Sequence, residues 1–286
     1  MKKLLGFIFG LVLFGVIVIA AAVGGVYVYV KQTYGIDIVK TISELQTLQE
    51  PVDEAVLCPN AYSPDDMVDV KEIVNQSVDG FITYTEEQGY IINFDNLPDE
   101  MKDIIKLTDK QVCAIAREVV EQEIEGKVDF GGEKVNVDLK QVDFYGITAD
   151  SAYFNVVISV DMTPLKKPVN DQVLDYLAGL VPDKMYVSST VLVTHDGQPF
   201  GYSVKHENLK INNLTAEETE DLFHTLDVVF KVGEAQKWNT YVGETIMNAL
   251  VGNETQNGLA YGLKEIGATD YAFIEEGGKE YFQVLR

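Results

Sequence analysis

Residues 4–30, LLGFIFGLVLFGVIVIAAAVGGVYVYV, carry no charged side chain. A run of this length exceeds the roughly 20 residues a helix needs to cross a hydrocarbon core. A helix in a soluble core would show a polar face, and this stretch has none. A charged residue at mid-bilayer costs about 2.5–3.5 kcal/mol on insertion scales, so its uncharged character suits lipid. The run is therefore expected to be a membrane span, and folding outside the membrane falls to the residues after it.

The flanks suggest an orientation. Lys2, Lys3 and the amino terminus precede the run, and Lys31 followed by mixed charge succeeds it. The excess of basic charge favours a cytoplasmic N-terminus, with residues 32–286 on the far side of the cell membrane. Tyr27 and Tyr29 fall near the outer headgroup level. Cleavage after Ala20-Ala21-Ala22 is the alternative. Against it, the apolar run continues to Val30, well beyond the usual h-region of about 7–15 residues. Gly6 and Gly10 form a G-x-x-x-G that can pack a partner helix. The expected organisation is a single-pass signal-anchor over 1–31, a membrane-proximal helix and loop over 32–65, and an extracytoplasmic domain over 66–286. A division of that domain into two subdomains would fall near 126–132.

Charge narrows the partners. Beyond residue 31 the chain holds 19 of its 22 basic residues and all 45 acidic ones, a formal charge of −26. Such a body repels phosphate backbones, so no nucleic acid is expected as partner. It also opposes docking on anionic headgroups. The two cysteines, Cys58 and Cys113, lie in the external part, where oxidation is permitted. A disulfide between them would contribute about 4 kcal/mol in the chain-entropy model. The alternative is two separate thiols, one of them in a helix core.

Periodicity supplies the architecture. Ile38, Ile42 and Leu45 recur at helical spacing, as do Val70, Ile73 and Val74 farther on. GFITYTEEQGYIINF, residues 80–94, reads as a hairpin. Asn96, Pro98 and the acids after them are helix-start signals. Thr108 with Gln111, and Thr215 with Glu218, each fit a capping box, with apolar periodic runs behind them. Another helical pattern, YVGETIMNALV, follows the second. SAYFNVVISVDMT, residues 151–163, alternates with Ala152, Phe154, Val156, Ile158, Val160 and Met162 on one face. The preceding strand alternates through Val135, Val137 and Leu139, then shifts phase to Val142 and Phe144, which predicts a bulge near Lys140. VNDQVLDYLAGL, residues 169–180, has helical spacing with Asn170 as its cap. Asp196-Gly197 and Gly277-Gly278 each mark a hairpin. Long antiparallel strands with amphipathic helices packed on them give an α+β fold. This pattern resembles that of tubular lipid-binding modules, though no motif is shared.

Chemical signatures are sparse. His195, His206 and His224 form no metal-binding motif, and Asp65, Asp66 and Asp69 lack the EF-hand spacing, so neither metal nor cofactor is expected. No G-x-S-x-G or S-x-x-K occurs. Ser188 and Ser189 sit inside a strand with no base nearby in sequence. Cys113 sits in an apolar helical run, which favours a buried thiol or a half-cystine over a nucleophile. FGGEK, residues 130–134, is a turn rather than a phosphate loop. Asn75, Asn213 and Asn253 begin N-x-S/T triplets.

The chain holds 15 tyrosines. Tyr84, Tyr90, Tyr145, Tyr153, Tyr186 and Tyr202 fall on predicted strands, and of these Tyr153, Tyr186 and Tyr202 are the candidates to line a pocket for an acyl chain or stack on a sugar. The chain is thus expected to be a membrane-anchored extracytoplasmic binding or scaffold protein, holding a lipid or other envelope component in an apolar groove. The alternatives are a cell-envelope hydrolase and an accessory subunit of a membrane complex, met by a protein partner through the transmembrane helix. No catalytic signature favours an enzyme.

Overall fold

The computed structural model describes residues 38–95, 97–124, 127–130, 133–161, 163, 182–230 and 234–286. Among these, no helix is long and apolar enough to cross a membrane. The apolar run 4–30 and the helical pattern over 169–180 lie outside the described residues. Three helices come first: α1 (Ile38–Gln49), the single turn α2 (Glu54–Leu57) and α3 (Pro64–Ser77). The hairpin β1 (Ile82–Thr85) and β2 (Gly89–Ile92) follows, then β3 (Ile105–Thr108) and α4 (Asp109–Ile124). Five strands come next: β4 (Lys127–Phe130), β5 (Glu133–Tyr145), β6 (Ser151–Asp161), β7 (Lys184–His195) and β8 (Tyr202–Ile211). The chain ends with α5 (Ala216–Phe230), α6 (Ala235–Leu250), β9 (Gly252–Asn253), β10 (Gln256–Asn257), α7 (Leu259–Gly262), β11 (Asp270–Glu276) and β12 (Lys279–Leu285).

The expected α+β class is present, with antiparallel sheets and several helices. Strands β4 to β8 form one five-stranded antiparallel meander, and β11, β12 and β3 form a second sheet of three. Local chemistry accounts for much of this. Thr108 N–H donates to Gln111 Oε1 at 2.9 Å, and Thr215 N–H to Glu218 Oε2 at 2.8 Å, so both capping boxes start helices. A third box, Ser63 with Asp66, starts α3. Gly277 and Gly278 take φ of 63° and 76°, the left-handed pair that a two-residue hairpin turn requires. The register of β5 against β6 slips between Leu139 and Gln141, leaving Lys140 as the bulge residue.

One signal misleads. Residues 97–104 are not helical, despite Pro98 and the acids behind it. Their main chain is bound by distant partners instead. Met101 N–H donates to Ile266 O at 2.7 Å, and Lys102 N–H to Ser77 O at 2.8 Å. Met101 itself is fully buried.

The two faces of the five-stranded sheet differ. The inner face presents Val142, Phe144, Ala152, Phe154, Val156, Val191 and Val193, all at 0–2 % exposure. Helix α4 packs on β5 and α6 on β7 and β8. The rings of Phe144, Phe154 and Phe273 continue this core into the smaller sheet, with centroids 5.2–5.9 Å apart. The same core holds Val70 and Ile115 from one side of residues 126–132 and Phe154 and Phe282 from the other.

Candidate functional site

The outer face of the same sheet is polar, and its two ends differ. Over the Lys184 end of β7 lies a strap, residues 50–62, that links α1 to α3. Cys58 packs there on Val157 and Tyr186, with Val52 and Leu57 against them. This explains why Val157, on the otherwise polar face of β6, is fully buried. Glu54 fastens the strap electrostatically. Its Oε2 accepts from Tyr186 Oη and from Lys184 Nζ at 3.0 Å, while Lys140 Nζ lies 3.4 Å from Oε1. The tyrosine hydrogen bond, then that of Lys184, holds the Glu54 carboxyl down at about 2.

The bulge directs the chain from this outer face toward the inner one. Asn60 N–H donates to Gln141 Oε1 at 2.9 Å, and Tyr62 N–H donates to the carbonyl of Lys140 at 3.3 Å. That stretch of β5 lies beyond its pairing with β4, which ends at Asn136. The strap therefore crosses over an open strand edge, and Tyr62 packs against the inner core. Asp143, beside Gln141, is partly desolvated, which raises its carboxyl above the usual range against the hydrogen bond from Gln141.

At the other end the outer face is held by aromatic and hydroxyl groups. Tyr145 and Tyr153 pair across β5 and β6, their rings stacked at 5.5 Å and 17°. Next to them the register places Asn155 opposite Thr190, and Ser151 opposite Thr194 and thence Ser203. Gly146, at φ 59°, closes the turn here. A Cβ on it would stand 3.1 Å from the Tyr153 ring, so the glycine makes room for that ring.

The structure separates the three candidate tyrosines. Tyr153 lies at the open end of the outer face and Tyr186 lies under the strap. Tyr202 is on the inner face, where its hydroxyl donates to Asn248 Oδ1 at 2.6 Å and burial raises it to about 12. They line no common pocket. The cysteines are likewise apart and free, Cys58 packed on the outer face and Cys113 in the inner core. The sheet stands between them, so the expected disulfide does not form. Burial raises the Cys113 thiol far above its usual range, the opposite of what a nucleophile requires.

Other singled-out residues have structural partners. Asp66 caps α3 through Ser63 N–H at 2.6 Å. His195 Nε2 donates to Asp270 at 3.0 Å and Nδ1 accepts from Gly197 N–H at 3.0 Å, tying the β7–β8 loop to β11. His206 Nδ1 accepts from Asn239 Nδ2 at 2.7 Å. Asn239 also donates to Thr190 O and accepts from Ser189 Oγ, so Ser189 is held inside the α6 interface. The Asn75 amide binds both N and O of Ile82, and Asn213 Nδ2 donates to Glu50 O. Among the described residues no group of three or more His, Cys, Asp or Glu side chains is placed to hold a metal ion.

Sequence reasoning did not single out Glu54, Asn212 or Asn239. The Asn212-Asn213 pair closing a strand is a turn signal that marks the first position of interest. Glu54 and Asn239 carry no local signal, since their partners lie 33 to 132 residues away. The chain matches no family model, no curated protein and no solved structure.

Proposed function

We propose that this chain is a membrane-anchored extracytoplasmic binding protein, and that its ligand-facing surface is the outer face of the five-stranded sheet. The asymmetry of the two faces carries this reading. The inner face is filled by the protein's own helices, and its central apolar side chains are at most 2 % exposed. An acyl chain would have to displace α4 or α6 to reach them. The outer face instead offers hydroxyls, amides and a stacked tyrosine pair at one end. The ligand is accordingly a polar envelope component rather than a lipid tail.

The strap supports a scaffold role as well. Seven residues, 31–37, separate the apolar run from α1, and seven fully extended residues reach about 25 Å at most. Helix α1 is already joined to the body: Leu48 packs with Ile211, Leu214 and Leu222, and Lys40 pairs with Asp221. A body attached this closely is held near the bilayer and reports the attitude of its span. That coupling favours, as a second reading, an accessory subunit that meets its complex through the span.

Topology is the decisive test. Alkaline phosphatase and a green fluorescent reporter, fused in turn to the C-terminus, should give phosphatase activity and no fluorescence. Fluorescence with inactive phosphatase would remove the extracytoplasmic assignment. Native mass spectrometry of the detergent-extracted chain should find no retained acyl lipid, and a stoichiometric lipid adduct would return the ligand to the inner face.

A further inference from the structure

We infer that the open end of the outer face, centred on Tyr145 and Tyr153, binds a neutral saccharide chain. This deepens the binding-protein reading and rests on it. The two rings stack on each other, and Tyr145 keeps 45 % of its surface exposed. A stacked pair opposite on neighbouring strands contributes to hairpin stability by itself. It does not account for what surrounds it. On the same face stand Leu192, half-buried and directly opposite Tyr153, and around it Asn155, Thr190, Thr194 and Ser203. Among the described residues, the hydroxyls of Tyr145, Tyr153, Thr190, Thr194 and Ser203 have no hydrogen-bond partner in the protein. Each can both donate and accept.

Charge selects the ligand class. Asp143, opposite Asn155, and Lys205, opposite Leu192, stand at the two edges of this window, and none of the seven positions Tyr145, Tyr153, Asn155, Thr190, Leu192, Thr194 and Ser203 is charged. The body around it is strongly acidic. The field of that body repels a polyanion, and draws a polycation to its carboxylates rather than to this uncharged window. What complements it is a neutral ligand with hydroxyls along its edge and C–H groups on its faces. The electron-rich face of a tyrosine ring attracts such C–H groups, and the row of free hydroxyls meets the edge. A pyranose ring has both features. An apolar ligand would leave the hydroxyls without partners.

The test uses the full-length chain in a polyoxyethylene detergent, which carries no sugar headgroup. Chitohexaose, cellohexaose and maltohexaose are titrated by calorimetry against the unaltered chain and against four variants. At least one hexasaccharide should bind. Tyr145→Ala and Tyr153→Ala should each weaken it at least tenfold. Thr190→Val, which keeps the side-chain shape and removes one free hydroxyl, should weaken it severalfold without moving the unfolding midpoint. Tyr84→Ala, in a tyrosine pair on the β1–β2 hairpin, should leave it unchanged. Binding by none of the three sugars overturns the inference, as does binding that survives both tyrosine substitutions. Neither result bears on the reporter fusions, so the topology and the ligand class fail separately.

Discussion

Asn212 joins the sheet to the strap, and substituting it separates three physical contributions. The residue follows β8 with φ at 49°. Its N–H donates to Tyr186 O at 2.8 Å, as a strand residue would. The left-handed turn carries its own carbonyl away, and its side-chain Oδ1 takes that place, accepting from Tyr186 N–H at 2.7 Å. Nδ2 donates to Leu48 O at 2.8 Å, at the end of α1. Asn212→Ala removes both side-chain bonds, worth about 1 kcal/mol each. It also places a Cβ-bearing residue without local polar compensation in the left-handed region, at about 1–2 kcal/mol. The sum is about 3–4 kcal/mol, or a fall in Tm of about 6–16 °C for a domain of this size. Asn212→Gly loses the same bonds but not the backbone strain, and should recover about 0.5–1 kcal/mol of the loss. Asn212→Asp keeps the acceptor for Tyr186 N–H but sets a carboxylate oxygen against the Leu48 carbonyl, so it costs more than the ~1 kcal/mol of one lost hydrogen bond. Thermal unfolding of the full-length chain in non-ionic detergent, followed through the single Trp238, gives the ranking. If Gly is as costly as Ala, the backbone argument is wrong.

The cysteines should give identical gel mobility with and without reductant, and maleimide should label both only after denaturation. A mobility shift on reduction would contradict their separation by the sheet. Glu54 titrates with a definite sign. Its folded carboxyl, at about 2, lies below the unfolded value of 4.5, so its contribution is present above pH 4.5 and fades as pH falls toward 2. Because the group is partly exposed, the effect stays within about 1 kcal/mol. The Tm difference between the unaltered chain and Glu54→Gln should be flat from pH 7 to 5 and shrink below 4.5; a difference unchanged at pH 3 would contradict the assignment. Gly252→Ala should cost at least about 3 kcal/mol. Its Cβ would stand 2.1 Å from Gly258 N, at a φ of 79° that already disfavours alanine; near-normal stability in a urea titration would refute that.

The sequence made visible those features whose causes are local. The Thr108 and Thr215 caps depend on residues three positions away, and the Gly277-Gly278 turn on its own dihedrals. The bulge at Lys140 showed as a change of phase between Leu139 and Val142. Residues 97–104 carried equally local helix signals and were overridden, because Met101 and Lys102 found acceptors at Ile266 and Ser77. Alternation likewise divided the strands into faces, but did not say which residues the helices would cover. Tyr153 and Tyr202 therefore read alike in sequence and lie on opposite faces. The outer-face window is assembled from four strands by register alone, and no single stretch of the chain announces it.

The Lys140 bulge connects several of these observations. In an unbroken ladder continuing from inward-facing Leu139, Lys140 would face outward and Gln141 inward, and Val142 and Phe144 would both fall out of step on the outer face. The extra residue corrects the phase, so that Val142 and Phe144 rejoin Leu139 on the inner face. A bulge also turns main-chain groups out of the ladder, and here the carbonyl of Lys140 receives Tyr62 N–H beyond the end of β4. The same residue's ammonium reaches Asp138 at 2.7 Å and Glu54 at 3.4 Å. One inserted position thus restores the core, provides the crossing point of the strap and pins the strap's charge. The strap could not leave the outer face along β4, whose pairing closes that part of the edge. Its path fixes Cys58 outside while Cys113 stays within, and it leaves only the Tyr145 end of the outer face clear of the strap.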